Sequence, residues 1–488
     1  MNTYIGIDLG TGSVKLLLVD GEGRILAEAA ESYEVHSPKS GWTEQDPSDW
    51  LRAMEKGMAD LLAGQESGAV RGISFSGQMH GLVVLDKNDT VIRPCILWND
   101  ARTAAQTAYL NEKIGRAKLS EWTGNVAFAG FTAPKLLWMR QNEPEKFGKI
   151  AKIMLPKDYL VYHLTGRFVT DFSDASGTLL LDVKTRTWSL PMMVLCGVSE
   201  KQLPTLHESY GVVGKLRADW ADKFGLPRDV VVAAGAGDNA AAAVGTGTVQ
   251  NGACNISLGT SGTIFLSSDV YTVDEKNSLH SFCHANGHYH LMGCILSAAF
   301  CRKWWLEEIL GSTDYPADDR AIATASDTDE LLFLPYLAGE RSPHNNLNAR
   351  GAFIGLSSTT TKAQMSRAIL EGVTFALRDC LEAAKKNGVF PTSAGLCGGG
   401  AKSRIWRQIV ADILGIPIHI LSTEQGPAFG AAILAMVACG EYDTIAEATE
   451  RLVHVTETVL PFAANTGKYE SRYARFRELY SVLWAPKN

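Results

Sequence analysis

Residues 4–12 read YIGIDLGTG, and residues 255–262, near the middle of the chain, read NISLGTSG. The two stretches share Leu-Gly-Thr, as Leu9-Gly10-Thr11 and as Leu258-Gly259-Thr260. In each, one strand-like apolar run precedes the glycine-rich turn and another follows it. A repeat of this kind at the midpoint of the chain predicts a duplicated two-domain architecture with a boundary at 245–252.

The residues around the first turn predict the elements that carry it. Asp46-Pro47 indicates the start of a helix, because Asp can accept hydrogen bonds from free N–H groups and Pro suits the first turn. Apolar residues at helical spacing continue from there to Leu62. Strands are predicted on either side of this helix, at 4–8, 14–20, 24–35 and 70–76. The alternation of strands and helices indicates an α/β fold class.

The second half contains a strand, a glycine-rich loop and helices. The predicted order is a strand ending at Cys397, a helix at 405–414, a strand at 417–421 and a helix at 426–439. A terminal helix carries aromatic residues four and three apart, which predicts a packing face. Its arginines are predicted to be exposed, since Arg is mostly found at the surface: Arg472, Arg475 and Arg477.

Length and composition exclude several classes of protein. A chain of 488 residues is longer than a single hydrophobic core usually accommodates, so more than one domain is expected. With 46% hydrophobic and 20% charged residues, the composition is neither that of a disordered protein nor that of a collagen. The net charge is −7, so the chain lacks the positive surface potential that usually attracts nucleic acids or acidic membranes. Neither partner is therefore expected. The absence of a signal or span predicts a cytoplasmic location. The nine scattered cysteines favour reduced thiols.

Three glycine-rich turns follow predicted strands, at 10–13, 259–262 and 398–401. Glycine lets backbone N–H groups approach phosphate oxygens, and Thr or Ser hydroxyls add donors. One such turn alone would be an ordinary tight turn, but three together, two of them duplicated, favour a nucleotide held between two domains. None matches a P-loop or a Gly-x-Gly-x-x-Gly motif.

Two carboxylates stand at the ends of predicted strands. Asp8, whose counterpart in the repeat is Ser257, either caps its turn or holds Mg²⁺ beside phosphates, directly or through water. Asp238 follows the apolar run 230–234 and opens a helix of small residues. It is either an N-cap or a general base that accepts a proton from an attacking hydroxyl.

Polar and aromatic residues are concentrated at the ends of two strand-like runs, at Gln78-Met79-His80-Gly81 and at 98–102. This mixture suits a polyol, which needs hydroxyl partners and an apolar surface. A group of histidines at 280–290 could be read as a metal site. Its alternation favours a hairpin with Asn286-Gly287 at the turn.

Taken in order, these motifs resemble those of the FGGY family of carbohydrate kinases. The resemblance covers about residues 4–440 and includes two further stretches, 132–138 and 351–371. It implies two ribonuclease-H-like domains of the actin and hexokinase type, at 1–248 and 249–488, with an intervening cleft. It further implies ATP and Mg²⁺, and the closest likeness is to members that phosphorylate the 5-hydroxyl of D-xylulose. Family members are often dimers, which implies a homodimer.

The resemblance also implies roles for individual residues. Asp238 is similar to the family's general base and Asp8 to the carboxylate near Mg²⁺. The sugar-contacting and nucleotide-contacting residues implied are Gln78, Met79, His80, Asp238 and Asn239 for the sugar and Gly10, Thr11, Gly259, Thr260, Gly399 and Gly400 for the nucleotide. One departure is Gly12, where the family often has a hydroxyl residue.

Three other functions are compatible with parts of this pattern. A related kinase could act on ribulose, gluconate, glycerol or another polyol. An actin- or chaperone-like ATPase shares the duplicated fold but needs no sugar pocket. An inactive sugar-binding regulator is disfavoured by the presence of both Asp8 and Asp238.

Overall fold

A computed structural model of the chain describes residues 1–274, 276–325, 330–422 and 425–484. The first half contains fifteen strands and ten α-helices. Its strands are Thr3–Leu9 (β1), Ser13–Asp20 (β2), Ile25–Ser32 (β3), Glu44–Gln45 (β4), Val70–Gly77 (β5), Val83–Leu85 (β6), Cys95–Ile96 (β7), Lys152–Met154 (β8), Val169–Asp171 (β9), Leu181–Asp182 (β10), Thr187–Trp188 (β11), Thr205–His207 (β12), Val212–Lys215 (β13), Val231–Ala233 (β14) and Ala236–Gly237 (β15). Its helices are Pro47–Leu62 (α1), Ala104–Ala108 (α2), Arg116–Thr123 (α3), Thr132–Asn142 (α4), Pro144–Phe147 (α5), Pro156–Thr165 (α6), Phe172–Ser176 (α7), Leu190–Cys196 (α8), Ala218–Phe224 (α9) and Asp238–Gly245 (α10).

The second half begins with a strand in the same role as β1. Its strands are Cys254–Leu258 (β16), Gly262–Ser268 (β17), His280–Cys283 (β18), Tyr289–Ile295 (β19), Leu332–Leu334 (β20), Ala352–Ile354 (β21), Ala394–Cys397 (β22), Ile418–Leu421 (β23) and Val455–Val459 (β24). Its helices are Ala299–Lys303 (α11), Tyr315–Thr324 (α12), Lys362–Lys386 (α13), Arg404–Leu414 (α14), Gly426–Ala438 (α15), Ile445–Leu452 (α16) and Ala463–Trp484 (α17).

Each half is built on a seven-stranded mixed sheet. The first sheet has the order β13-β14-β5-β1-β2-β3, with β15 also paired to β5, and the second has the order β18-β19-β17-β16-β22-β23-β24. In both, three antiparallel strands continue into two parallel ones: β3-β2-β1-β5-β14 in the first and β19-β17-β16-β22-β23 in the second. The shared order confirms the duplication and the α/β class predicted from the repeat.

Strand β2 is apolar without interruption over its stretch 16–19, and its packing shows why. Leu16 and Leu18 face one core, which includes Trp50 of α1, while Leu17 and Val19 face another, which includes Phe429 of α15. Successive side chains of a strand point to opposite faces, so a strand covered on both faces must be apolar at every position. Helix α1 begins where predicted, with Asp46 as N-cap accepting from the Ser48 N–H.

Helix α15 comes from the second half of the sequence but packs against the first sheet. A Cβ on Gly6 of β1 would lie 2.0 Å from the Ala428 carbonyl oxygen, so strand and helix touch backbone to backbone. The same helix crosses α10, where a Cβ on Gly430 would lie 1.9 Å from the Ala241 oxygen. Two helices, one from each half, therefore meet without side chains between them. The division at 248/249 stays a prediction, and it falls between the last residue of α10 and the first of β16.

The terminal helix α17 confirms the predicted packing face and corrects one prediction. Tyr469, Tyr473 and Phe476 are buried, whereas Arg475 and Arg477 lie at the surface with side chains 43% and 56% exposed. Arg472 was predicted to be exposed, and this is wrong. Its guanidinium is buried and pairs with Glu371 of α13 at 2.7 Å, because a helix packed on two neighbours can bury a charge that has an ionic partner.

The cysteines and the longer helices bear on two further predictions. All nine cysteines are described and none is in a disulfide; seven of them are buried. Within the described residues, no helix is both long enough and apolar enough to span a bilayer.

The crossing of α10 and α15 gives a stability prediction. We expect Gly430→Ala to lower the free energy of unfolding by about 1–3 kcal/mol, because the added methyl group would overlap backbone that has little room to move. Gly467→Ala in α17 is the matched control: a Cβ there meets nothing within 4 Å, and alanine is the better helix former by about 0.5–1 kcal/mol. Urea titrations followed by circular dichroism measure both. Equal stability of the two variants would contradict a tight crossing.

Candidate active site

Asp8 lies near the end of β1, where its neighbours are Lys15 on β2 and Ser76 on β5. The Ser76 hydroxyl donates to Oδ1 of Asp8 at 2.8 Å, and no described residue donates to Oδ2. Burial raises the pKa of Asp8, while the Ser76 hydrogen bond and the charge of Lys15 act in the opposite direction. Among the described residues, no N–H of the following turn bonds this carboxylate, so the turn-capping role is not observed.

Asp238 is the first residue of α10, directly after β15, and β15 pairs with the end of β5. Gly237 occupies the N-cap, so Asp238 is not the capping residue. The backbone N–H and the side-chain amide of Asn239 both donate to Oδ1 of Asp238, at 2.7 and 2.8 Å. Oδ2 receives no hydrogen bond from a described residue. Burial, and next the negative charge of Asp8, raise the pKa of Asp238 to about 7.

Gln78 and Met79 directly follow β5, in the loop beside the end of β1. The Gln78 N–H donates to the Leu9 carbonyl at 2.8 Å, which ties this loop to the end of β1. The Gln78 amide nitrogen donates to Gln45 at 2.9 Å, while its Oε1 is buried without a partner in the described part of the chain. The Asn239 amide lies 3.9 Å from the Met79 sulfur. The loop after β5 and the start of α10 are therefore in contact.

His80 is held in one orientation by several bonds. Its backbone has a φ of 72°, and its carbonyl accepts from the Lys135 ammonium at 2.7 Å and the Thr132 hydroxyl at 3.1 Å. Its Nδ1 lies 2.7 Å from the Gly177 carbonyl, which can only accept, so Nδ1 carries the proton. Burial lowers the pKa of His80 to about 3. The ring is therefore neutral, and its Nε2 is an acceptor with no partner in the described residues.

The residues at 98–102 divide into two groups. The Trp98 indole N–H donates to the Thr11 hydroxyl at 3.0 Å, and Trp98 is 42% exposed beside the first glycine-rich turn. Asp100 and Arg102 form an ion pair of 2.7 Å with both side chains fully buried, and Arg102 lies over the Trp42 ring at 3.8 Å. Asp100 and Arg102 thus support the loop, and Trp98 is the residue of this group beside the turn.

The other two glycine-rich turns share a cavity of about 880 Å³ in the second half. Gly259, Thr260, Gly399 and Gly400 all line it. A Cβ on Gly398 would lie 2.8 Å from the Leu258 backbone, so only glycine lets the two turns touch. Gly10 and Thr11 are not among its lining residues and stand beside Asp8 instead. Its remaining wall includes side chains that no motif predicted: Phe300, Arg302, Lys303, Tyr315, Pro316, Asp319, Lys402, Ser403 and Trp406.

The histidines at 280–290 form the predicted hairpin, with β18 antiparallel to β19. His280, His284 and His290 are buried, and His290 stacks on Phe265 with ring centres 4.0 Å apart. Among the residues that the structure describes, no group of three or more His, Cys, Asp or Glu could hold a metal ion by itself. A cation at Asp8 would therefore need other oxygen ligands. Mg²⁺ fits this set, since it usually binds one or two carboxylates, waters and substrate phosphates.

Comparisons with known proteins agree with this geometry. Residues 3–245 match the N-terminal domain, and residues 254–439 the C-terminal domain, of the FGGY family of carbohydrate kinases. A xylulose kinase of Escherichia coli K12 is 42% identical over 486 residues, which cover 98% of this chain and 99% of that protein.

Solved structures match over the same length. A crystal structure of a "xyloylose kinase" from Brucella ovis superposes with a TM-score of 0.95 at 40% identity, covering 99% of this chain and all of that one. A gluconate kinase from Lactobacillus acidophilus has the same TM-score at 28% identity, covering 99% of this chain and 98% of that one.

The proximity of the two carboxylates gives a prediction that requires no turnover. Asp8→Asn removes the negative charge that disfavours ionisation of Asp238, so we expect it to lower the pKa of Asp238 from about 7. Carbon-13 NMR of the aspartate carboxyl groups, assigned with Asp238→Asn, measures this. Asp86→Asn, at a surface turn, is the control and leaves the pKa unchanged. An unchanged value in Asp8→Asn would mean that burial alone sets the pKa.

Proposed function

The chain belongs to the FGGY family of carbohydrate kinases, and on this premise we propose that it transfers the γ-phosphoryl group of ATP to the 5-hydroxyl of D-xylulose. The observation that carries the proposal is Asp238, which has one oxygen without a hydrogen-bond donor among the described residues and a pKa of about 7. The same site contains Asp8 and a neutral His80. The full-length similarity to a xylulose kinase supports the choice of sugar.

Asp238 is the general base in this mechanism. Asn239 fixes Oδ1 with two hydrogen bonds, and Oδ2 accepts the proton of the attacking hydroxyl. A base works best when its pKa lies near the working pH, where it is ionised and still basic. A pKa near 7 meets this condition, whereas an ordinary aspartate would be a weaker base.

The sugar is proposed to lie against Met79 and His80. The free Nε2 of His80 accepts from one hydroxyl, and Gln78 holds this loop to the end of β1. Asn239 adjoins Met79 and the base, so its side chain borders the same volume. A site that pairs hydroxyl groups in this way rejects analogues that lack them, because its buried polar atoms would stay unpaired.

ATP is proposed to bind in the cavity of the second half, with its phosphates directed at Asp8. Backbone N–H groups at Gly259, Thr260, Gly399 and Gly400 approach the nucleotide. The turn at Gly10 and Thr11, in which the Gly10 N–H donates to the Ser13 carbonyl at 2.9 Å, lies beside the transferred group. Asp8 would hold Mg²⁺, which when bound neutralises charge on the phosphates. Phosphoryl transfer needs mainly positioning and charge stabilisation from the protein, so these few groups suffice.

The second candidate is a kinase for another polyol. A gluconate kinase matches with the same TM-score as the Brucella protein. The same backbone therefore occurs in a kinase named for another substrate, gluconate. Membership of a carbohydrate kinase family argues against an actin- or chaperone-like ATPase. The homodimer and the cytoplasmic location stay predictions.

A substrate panel separates these candidates. ADP release is measured with ATP and Mg²⁺ against D-xylulose, L-xylulose, D-ribulose, L-ribulose, glycerol and gluconate. We expect the highest kcat/KM with D-xylulose. A higher value with another polyol would overturn the choice of sugar but leave the mechanism in place. Release that no polyol stimulates would overturn the kinase assignment.

Substitution of the base tests the mechanism. We expect Asp238→Asn to lower kcat by about 10²–10⁴-fold, the usual contribution of a general base, while ATP still binds. ADP release and calorimetric titration with ATP measure the two effects. Asp229→Asn, at an exposed aspartate before β14, is the control and keeps wild-type turnover. Near-normal kcat in Asp238→Asn would exclude this residue as the base.

The raised pKa of Asp238 predicts a pH profile. The ionised carboxylate is the active form, so kcat/KM should rise with pH, with a midpoint near 7, and level off above it. In Asp8→Asn the midpoint should move to lower pH, although the maximum rate falls. The profile of kcat/KM for the ATP–Mg²⁺ complex, which reports the enzyme before the cation is bound, is measured from pH 5 to 9 with Mg²⁺ equimolar to ATP. A flat profile over this range would contradict a base with this pKa.

A further inference from the structure

The segment that runs from Asp171, the last residue of β9, through the short helix α7 to Gly177 contacts both loops of the candidate active site. From this segment, Ser173 bonds the backbone before Asp238, and Gly177 bonds the ring of His80. No motif in the sequence singled it out, and the mechanism above does not use it.

The three residues before Asp238 are Gly235, Ala236 and Gly237. Ala236 and Gly237 form the two-residue strand β15, paired with the last two residues of β5, and Gly235 has a φ of 78°. Glycine loses more conformational freedom on ordering than other residues, so such a stretch needs outside contacts to stay in one conformation. Here the Gly235 N–H donates to the Ser209 carbonyl at 3.0 Å, and the Gly237 N–H donates to the Ser173 hydroxyl at 3.1 Å. The tripeptide is therefore anchored at both ends.

Both anchoring serines bond the same carboxylate oxygen. Oδ2 of Asp171 accepts from the hydroxyl of Ser173 and, at 2.8 Å, from the hydroxyl of Ser209. It also accepts from the Ser173 N–H at 2.8 Å. Because each hydroxyl has one proton and gives it to Asp171, the Ser173 oxygen presents a lone pair to Gly237. Asp171 thus fixes the orientation of the group that holds the backbone before Asp238.

Asp171 is in turn held by a buried lysine. The Lys157 ammonium lies 2.9 Å from Oδ1 of Asp171, 2.8 Å from Asp158 and 3.8 Å from Asp174, and all four side chains are buried. Lys157 also packs against Gly77, the last residue of β5: a Cβ on Gly77 would lie 2.7 Å from its Cβ. The cluster therefore lies beneath both the sugar-side loop and the loop before Asp238.

We propose that Asp171, by accepting from the hydroxyls of Ser173 and Ser209, is the positioning residue for the backbone before Asp238, which bonds the Ser173 hydroxyl and the Ser209 carbonyl. This inference rests on the proposed function, in which Asp238 is the general base. Asp171 itself does not face the reacting atoms, since its oxygens are directed at the two serines and Lys157. Its contribution is geometric: a base displaced by about 1 Å can lose about a hundred-fold in rate.

Ser173→Ala and Asp171→Asn test the proposal at two points of the chain of bonds. We expect each to lower kcat by about ten- to a hundred-fold, as for a misplaced catalytic group, with little change in the KM for ATP. Ser173→Thr keeps the hydroxyl and should restore most of the rate. Hydrogen exchange followed by mass spectrometry should show faster exchange at 235–238 in Ser173→Ala.

Thr123→Val is the matched control. The Thr123 hydroxyl is also buried, donates to the Leu119 carbonyl at 2.8 Å and accepts from the Asn125 N–H at 3.2 Å. Its loss should lower the unfolding temperature as much as Ser173→Ala does, without changing kcat. A fall in kcat of equal size in both variants would reduce Ser173 to a structural role and overturn the proposal.

The two measurements, kcat and hydrogen exchange, distinguish failure of this proposal from failure of the proposed function. If the wild-type chain turns over no polyol, the kinase assignment fails, and the exchange experiment still decides whether Ser173 holds 235–238. Unchanged exchange in Ser173→Ala would overturn the proposal in either case. Faster exchange with an unchanged kcat on an active wild type would also overturn it, because the loop would then be free without cost to the reaction.

Discussion

The backbone contact between α10 and α15 is the constraint on which the arrangement of the site depends. α10 begins with Asp238, and α15 belongs to the other half of the sequence. Since a Cβ on Gly430 or Gly245 would lie within about 2 Å of the opposite backbone, the two helices have no slack at their crossing. Helix α15 also lies directly on β1, the strand that carries Asp8. The two carboxylates are therefore placed by one packed unit that contains both halves of the chain.

This placement has an electrostatic cost that is consistent with the proposed chemistry. Burial, and next the negative charge of Asp8, disfavour ionisation of Asp238 and raise its pKa. Lys15 and Ser76 act on Asp8, whereas Asp238 receives its hydrogen bonds, as far as the described residues go, from Asn239 alone. A divalent cation bound at Asp8 would relieve the repulsion between the two carboxylates, which supports the proposal that Mg²⁺ accompanies the phosphates.

Much of the fold followed from local patterns in the sequence. The turn after β1, the Asp46 cap and the glycine loop before α14 are set by neighbours in sequence, and the structure has them where they were predicted. The candidate site residues Asp8, Gln78 and Asp238 stand at strand ends that the sheet order brings together. Arg472 was misjudged because its partner Glu371 is 101 residues away, and no local pattern carries that information. Asp171 and Ser173 were missed for the same reason.

Two buried lysines in the first half of the chain, Lys135 and Lys157, hold loops of the candidate site in place. Lys135 donates to the carbonyls of His80 and Gly130, which only partly replace water, and burial lowers its pKa to about 7. Lys157 is surrounded by three carboxylates, whose negative charges outweigh burial and raise its pKa. One lysine therefore holds a loop through neutral acceptors, and the other through ions. Since a buried ion pair adds little net stability, the Lys157 cluster is better explained by the geometry it imposes on 235–238 than by the energy it contributes.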